Sequence, residues 1–174
     1  LAAVEGAILL VDAAKGIQAQ TLANFRAAKA VGLKIIGVVN KVDLFPDGLK
    51  DSRLEQAVKD IADLLEVAPG EIFLVSGRDG QGVNELLAAI IRQVPSPKSL
   101  GDKDRKISRA LIFDSFYDEH KGIVASIRVF EGGFGPADKI FLAVTERSWE
   151  TKEIGYFGPE MKKSGGLGMG EIGY

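Results

Sequence analysis

Cysteine is absent from the 174 residues, which excludes a disulfide framework, a thiolate metal site and a cysteine nucleophile. That absence fits a reducing compartment. Neither charge sign is in clear excess: 22 lysines and arginines stand against 24 aspartates and glutamates, a net charge of −2. The chain is therefore not the strongly basic body that binding by bulk charge to nucleic acid requires, although a local basic patch is compatible with it, and DNA is not expected as a partner. No apolar run approaches the roughly 18–20 residues of a membrane span. The opening LAAVEGAILLV lacks the basic region of a signal peptide. Because the chain opens on Leu1 rather than methionine and stops at EIGY without a terminating signal, it is read as an excerpt of a longer protein.

What is present has a clear order. GAILLV (6–11), KIIGVV (34–39) and EIFLV (71–75) are short apolar runs without alternation, so both of their faces are expected to be covered, as in a parallel sheet. Helical spacing fills the intervals. Gln18 to Val31 carries Leu22, Phe25 and Ala28 and stops at Gly32. The next helix opens on Ser52-Arg53-Leu54-Glu55, a capping-box pattern, and continues through Val58, Ile61 and Leu65 to a halt at Pro69-Gly70. The third, from about Val83 to Val94, is expected to turn Leu86, Leu87, Ile90 and Ile91 inward. Strands separated by helices imply right-handed crossovers and an α/β fold, a doubly wound, mostly parallel sheet. Each run ends in a polar residue: Asp12, Asn40 and Ser76. Ligands in open α/β sheets bind outside the carboxyl ends of the strands, which gives Asn40 and Ser76 the address of a ligand site. Asp12 is read only as the cap of the following turn.

The second run continues into Asn40-Lys41-Val42-Asp43. An aspartate carboxylate accepts through two oxygens side by side, and guanine presents two parallel donors, the ring N1–H and the exocyclic amine. Adenine has no such pair. Asn40 offers a donor to the base's other edge or ties two loops together, and Lys41 can lay its stem along one face of the base. The one-residue gap returns Val42 to the core. Asn and Asp also favour turns after strands for local reasons, so the tetrapeptide does not stand alone. The third strand ends in Ser76-Gly77-Arg78: a tight turn there can aim a backbone N–H at the guanine carbonyl, a small residue at Gly77 allows close approach, and the Arg78 guanidinium can cover the second face.

NKVD and SGR resemble the fourth and fifth motifs of the GTPase superfamily, whose usual fifth motif is Ser-Ala-Lys. Gly77 and Arg78 keep a small residue and a cation at those places. VDAAKGIQAQT (11–21) resembles the segment after the second switch of translational GTPases, with Gly16, Gln20 and Thr21 in register. The phosphate loop of such enzymes, G-x-x-x-x-G-K-[ST], is missing, since no Gly-Lys pair occurs in the sequence. Asp79-Gly80-Gln81-Gly82 has the spacing of the magnesium-side motif but follows N-K-x-D instead of preceding it. Gly168 to Gly173 spells G-x-G-x-x-G with no helix after it. The resemblance places the phosphate loop and both switches upstream of Leu1. No catalytic or metal-binding residue is expected within this chain, GTP or GDP is the implied ligand, and Mg2+ belongs to the parent protein. The isolated chain is expected to be inactive.

After VPSPKSLGDKDRK (94–106), a proline- and charge-rich break, the period changes. ALIFDSF, GIVASIRVF, DKIFLAV and WETKEIGYF read as strands of an antiparallel sheet or small barrel. IFDSFYDEHKGIVASIRVFEG and GYFGPEM resemble the LepA family of translational GTPases, also called elongation factor 4. Phe116 stands where tryptophan is usual, Lys121 where arginine is usual, and Ala137 at a turn position that is normally glycine. The resemblance implies residues 1–97 as the C-terminal half of a GTPase domain, 98–106 as a linker and 107–174 as a β-barrel domain incomplete at its C-terminus. It further implies a cytoplasmic, ribosome-dependent GTPase. Its partners would be ribosomal RNA, ribosomal proteins and tRNA, its role back-translocation or fidelity, and it would have a peripheral association with the cell membrane. The competing expectation is a ribosome- or RNA-binding module with a vestigial nucleotide site. His120 is read as a surface residue of a charged turn and Trp149 as packed on the barrel. Lys162-Lys163 and Arg105-Lys106 are read as solvated, and Asp114, Asp118 and Glu119 as too loosely grouped for a metal.

Overall fold

A computed structural model describes residues 3–97 and 107–174. The linker expected at 98–106, with Arg105-Lys106, lies outside the described residues. The chain divides into two compact units, with the boundary in sequence between Ser96 and Pro97.

In the first unit β1 (Gly6–Asp12), β2 (Lys34–Asn40) and β3 (Phe73–Val75) form a parallel sheet in that order. Helices α1 (Ala19–Ala30), α2 (Ser52–Leu65) and α3 (Val83–Gln93) follow the strands. Alternate residues of β2 supply two cores. Val39 packs with Leu9 and Val11 of β1, Phe25 of α1, and Leu54, Val58 and Ile61 of α2. Ile36 and Val38 pack with Val75 and with Leu86 of α3. Val38 and Val39 are wholly buried, each worth about 1.5–3 kcal/mol of apolar burial. Gly37 lets α2 close on β2: a Cβ there would lie 2.7 Å from Leu65 Cδ1 and 2.8 Å from Ile72 Cδ1.

Helices on both faces make the sheet doubly wound, but the expected cover is incomplete. Ile8 and Leu10 sit on the same face as Ile36 and Val38 by register, and they remain exposed because α3 packs against β2 and β3 residues. Helix α3 itself turns in Val83, Leu86, Ala89 and Ile90, while Leu87 and Ile91, expected inward, are 52% and 83% exposed. The cap of α2 also differs from the capping-box reading. Asp51, not Ser52, precedes the helix; its Oδ1 accepts the Arg53 N–H at 2.9 Å and its Oδ2 pairs with the Arg53 guanidinium at 2.8 Å. A carboxylate that caps and ion-pairs at once outcompetes a hydroxyl. The helix ends at Leu65, with Glu66 left-handed, before the Pro69–Glu71 turn.

The second unit is antiparallel. Its strands are β4 (Arg109–Asp118), β5 (Gly122–Glu131), β6 (Gly133–Phe134), β7 (Lys139–Leu142), β8 (Arg147–Glu150), β9 (Gly155–Phe157), β10 (Met161–Lys163), β11 (Leu167–Gly168) and β12 (Ile172–Gly173). They form one three-stranded sheet, β12-β5-β4, and the ladders β11-β6, β7-β8 and β10-β9. Val129, Ile154 and Leu167 make the core. The run 149–157 is divided into β8 and β9: Thr151 still follows the β7–β8 register, its N–H on the Asp138 carbonyl at 2.9 Å and its hydroxyl on that of Gly135 at 2.8 Å, after which the chain pairs as β9 with β10. Trp149, expected to be packed, is 55% exposed opposite Ile140. His120 lies in the β4–β5 turn, where Asp118 Oδ1 accepts the N–H groups of His120 and Lys121.

Candidate functional site

Parallel pairing brings the strand ends together: Asp12 is the register partner of Asn40, and Asn40 of Val75. Beyond β2 the chain turns sharply. Lys41 adopts a left-handed conformation, φ 67° and ψ 37°, and its N–H donates to Asn40 Oδ1 at 2.8 Å. A one-turn 3-10 helix, Val42–Leu44, follows. Val42 is buried in the core, as its position in the tetrapeptide predicts, which leaves Lys41 and Asp43 on the outer side.

Beyond β3 the chain makes a second turn. The Ser76 N–H donates to the Gln81 carbonyl and Gly80 N–H returns to the Ser76 carbonyl, both at 2.9 Å. Gly80 and Gly82 are left-handed, and a Cβ on Gly82 would fall 2.1 Å from the Leu74 oxygen, so this turn into α3 admits only glycine at 82. Asp79-Gly80-Gln81-Gly82 is thus turn and helix entry, with Asp79 Oδ1 accepting from Gln81 N–H at 3.1 Å. That bond, with help from Ser76, holds the Asp79 carboxyl below the usual carboxylate range.

Two hydrogen bonds join the turns. Asn40 Oδ1 accepts the Gly77 N–H at 3.0 Å, and the Ser76 hydroxyl donates to Asp43 Oδ1 at 2.8 Å. Of the two roles open to Asn40 from sequence, it fulfils loop tying. The Gly77 N–H, a candidate for a ligand carbonyl, is engaged by it. Ser76 is fully buried, and its Oγ also accepts the Arg78 N–H at 3.3 Å, so the hydroxyl fixes Asp43 from beneath while folding the turn. Arg78 is mostly exposed, with Nη1 3.7 Å from Asp43 Oδ2. Asn40, Lys41, Asp43, Ser76, Gly77 and Arg78 therefore share one surface at the carboxyl ends of β2 and β3. In it the Asp43 carboxylate is held by a buried donor and flanked by the Arg78 guanidinium, an arrangement suited to a ligand edge with paired donors.

Sequence reasoning missed one member. Asp12 does cap its turn, with Oδ1 accepting the Ala14 N–H at 2.9 Å, but its Oδ2 also meets Lys41 Nζ at 2.7 Å. The Lys41 hydrogen bond lowers the Asp12 pKa and Asp12 raises that of Lys41, so both remain charged at neutral pH. The available signal was the acidic residue at the neighbouring strand end. Among the described residues no group of three or more His, Asp and Glu side chains is close enough to share a metal. Asp12 and Asp43, the carboxylates of this surface, are each engaged by a hydrogen-bond donor and a cation, a donor set that does not fit a magnesium ion. No helix among the described residues is long and apolar enough to cross a membrane.

Residues 1–96 match the Elongation factor Tu GTP binding domain. Elongation factor 4 of Thermotoga maritima is 45% identical over all 174 residues, which cover 27% of its length. The Elongation factor 4 proteins of Rhodococcus opacus and Aquifex aeolicus are 47% and 43% identical across the whole chain, with 26% and 28% of their lengths covered. The chain thus spans about a quarter of the length of these relatives. Among solved structures, apo translation elongation factor SelB from Methanococcus maripaludis shares the fold, with a TM-score of 0.74 over 98% of this chain and 36% of its own at 19% identity. A bacterial selenocysteine-specific elongation factor, EF-Sec, gives 0.71 at 26% identity, over 97% of this chain and 28% of its own.

Proposed function

Since its first 96 residues, more than half of its length, match the Elongation factor Tu GTP binding domain, the chain belongs to that family, and we propose that it carries the guanine-recognition half of a GTP pocket. Asp43 accepts from the ring N1–H and exocyclic amine of the base. Ser76 holds that carboxylate in place, Asn40 fixes the distance between the two loops, and the Lys41 stem and Arg78 guanidinium cover the faces of the base. The observation that carries this reading is the Ser76–Asp43 hydrogen bond of 2.8 Å, because it locks the only carboxylate of the N-K-x-D turn without consuming its Oδ2.

GTP hydrolysis belongs, on this proposal, to the full-length protein, a ribosome-dependent translation factor of the elongation factor 4 type. The whole-chain identity to proteins of that name supports it. Phosphates and Mg2+ are held by residues upstream of this chain. Ribosomal RNA and proteins, tRNA movement or fidelity, and peripheral membrane association extend the same proposal, and a cytoplasmic site of action goes with them.

Base selectivity is the direct test. In the full-length protein, Asp43→Asn replaces an acceptor by an amide donor, which suits the carbonyl of xanthine where guanine has its amine. Competition binding should show GTP affinity falling roughly 10- to 100-fold, the scale of a lost charge-assisted hydrogen bond, with XTP affinity rising. Unchanged preference for GTP would remove Asp43 from the site and favour a vestigial pocket.

A further inference from the structure

The Asp12–Lys41 contact is not accounted for by the fold. An ion pair this exposed, with side chains 20% and 52% accessible, contributes little to stability in water. Yet the geometry leading to it is specific. The left-handed turn at Lys41 lets its side chain reach across the ends of two strands, where the ammonium meets Asp12 Oδ2 at 2.7 Å. Asp12 cannot drift to follow another partner, because its Oδ1 is held by the Ala14 N–H and its backbone lies in register with Asn40. The Ala13 N–H continues that ladder to the Asn40 carbonyl at 2.9 Å. One end of a flexible four-carbon stem is therefore fixed by β2 and the other by β1.

We propose that Asp12 is a positioning residue for the guanine base: it anchors the Lys41 ammonium so that the lysine stem stands as a preformed wall of the base site, and it does not itself touch the nucleotide. This inference rests on the guanine reading of Asn40, Lys41 and Asp43. A long side chain normally surrenders rotamer freedom when a ligand stacks on it, and a stem already tethered at both ends loses less. Asp12 thereby acts on nucleotide affinity without a contact of its own.

Fluorescent-GDP binding by the full-length protein tests this with Asp12→Asn, Lys41→Met and the double variant. Asparagine keeps an oxygen for the Ala14 N–H and removes only the charge facing Lys41; methionine keeps most of the stem and removes the ammonium. Asp12→Asn should weaken GDP binding roughly three- to tenfold, the range expected for losing one preorganising ion pair. The double variant should bind no more weakly than Lys41→Met alone. The gap between the unsubstituted protein and Asp12→Asn should also close as salt rises to about 1 M, where screening acts within roughly 3 Å. A purely structural defect at the β1 turn would give additive losses that salt does not alter, and either result overturns the proposal. Full GDP affinity in Asp12→Asn alongside a loss in Lys41→Met overturns it too, while leaving the guanine site standing. Unchanged affinity in Lys41→Met together with unchanged base preference in Asp43→Asn would instead overturn the guanine reading, and this inference with it.

Discussion

Ala137 adopts φ +64°, a region where the Cβ of an L-residue crowds its own backbone. The turn nevertheless closes, because the Ala137 N–H donates to the Thr151 carbonyl at 2.9 Å and Asp138 Oδ2 accepts from the Gly135 N–H at 2.6 Å. The turn therefore carries a strain that glycine would remove. Ala137→Gly should raise the thermal midpoint of the second unit. The net gain is about 0.5–1 kcal/mol, since relief of the left-handed strain exceeds the greater entropy glycine gives the unfolded chain. A lowered midpoint in a thermal melt would show that the left-handed turn is not strained. Gly77 makes the opposite case: a Cβ there would meet only the Asn40 amide, Oδ1 at 3.7 Å and Nδ2 at 3.9 Å, so the alanine usual in the fifth motif fits without adjustment. At this scale the sequence was informative where a residue's chemistry is local. Asn40, Val42, Asp43 and Ser76 could be placed from the pattern of a strand ending in polar groups. The Asp12–Lys41 pair could not, because the residues are distant in sequence and meet only through the register of β1 on β2.

Among elements, the Glu153 carboxylate just before the β9–β10 hairpin gathers partners from three separate parts of its unit. Glu153 Oε1 accepts the Tyr174 hydroxyl at 2.9 Å and the Lys121 ammonium at 2.5 Å, and Oε2 pairs with Lys163 at 2.7 Å. Lys121 also lies over the Tyr174 ring, 5.1 Å from its centre. The hydrogen bonds from Lys121 and then Lys163 depress the Glu153 carboxyl from 4.5 to about 2. A carboxylate whose folded pKa is lowered adds stability that is fully present above its unfolded value and is lost as pH falls through the folded one. The cluster should therefore stabilise the unit fully above pH 4.5 and fade toward about pH 2. Glu153→Gln should melt below the unsubstituted protein at neutral pH, and the two midpoints should converge across that acid window. A difference that stays constant with pH would exclude the ionised cluster as its source. The elements themselves were largely legible, since three unalternating runs and a later change of period give a parallel sheet and antiparallel strands. Two misreadings share a cause. The capping box pointed to Ser52 and the helical stripe pointed Leu87 and Ile91 inward, but spacing describes one element at a time. Asp51 won through its pairing with Arg53, and α3 packs against β2 and β3, which its own sequence does not record.

For the molecule as a whole, the base-side turns are complete while the sheet beneath them is bare on one flank. Strand β1 is an edge of the three-stranded sheet, with Ile8 and Leu10 exposed on one face. A cavity of about 390 Å³ opens beside that edge, lined by Ala7, Leu9, Phe25, Ala28 and Ile35 among others. The hydrogen bonds that order Asp43 and join the two turns lie within Asn40–Gly82, apart from the exposed Ile8 and Leu10. The 174-residue chain should accordingly fold its base reader and yet hold nucleotide poorly. Tight binding of nucleoside phosphates depends on converging backbone N–H groups and charge around the phosphates, and the sequence has no glycine-lysine loop to supply them. What remains is one edge and two faces of a purine, an interface of too few atoms to exceed weak affinity once the cost of immobilising the ligand is subtracted. Titration of the isolated chain with fluorescent GDP should give a Kd weaker than about 100 μM. Unlabelled guanosine should compete about as well as GDP, because the phosphates find no partner. A nanomolar constant, or GDP outcompeting guanosine by orders of magnitude, would mean that phosphate-binding groups lie within these 174 residues and that the division of the pocket between this chain and the upstream segment is wrong.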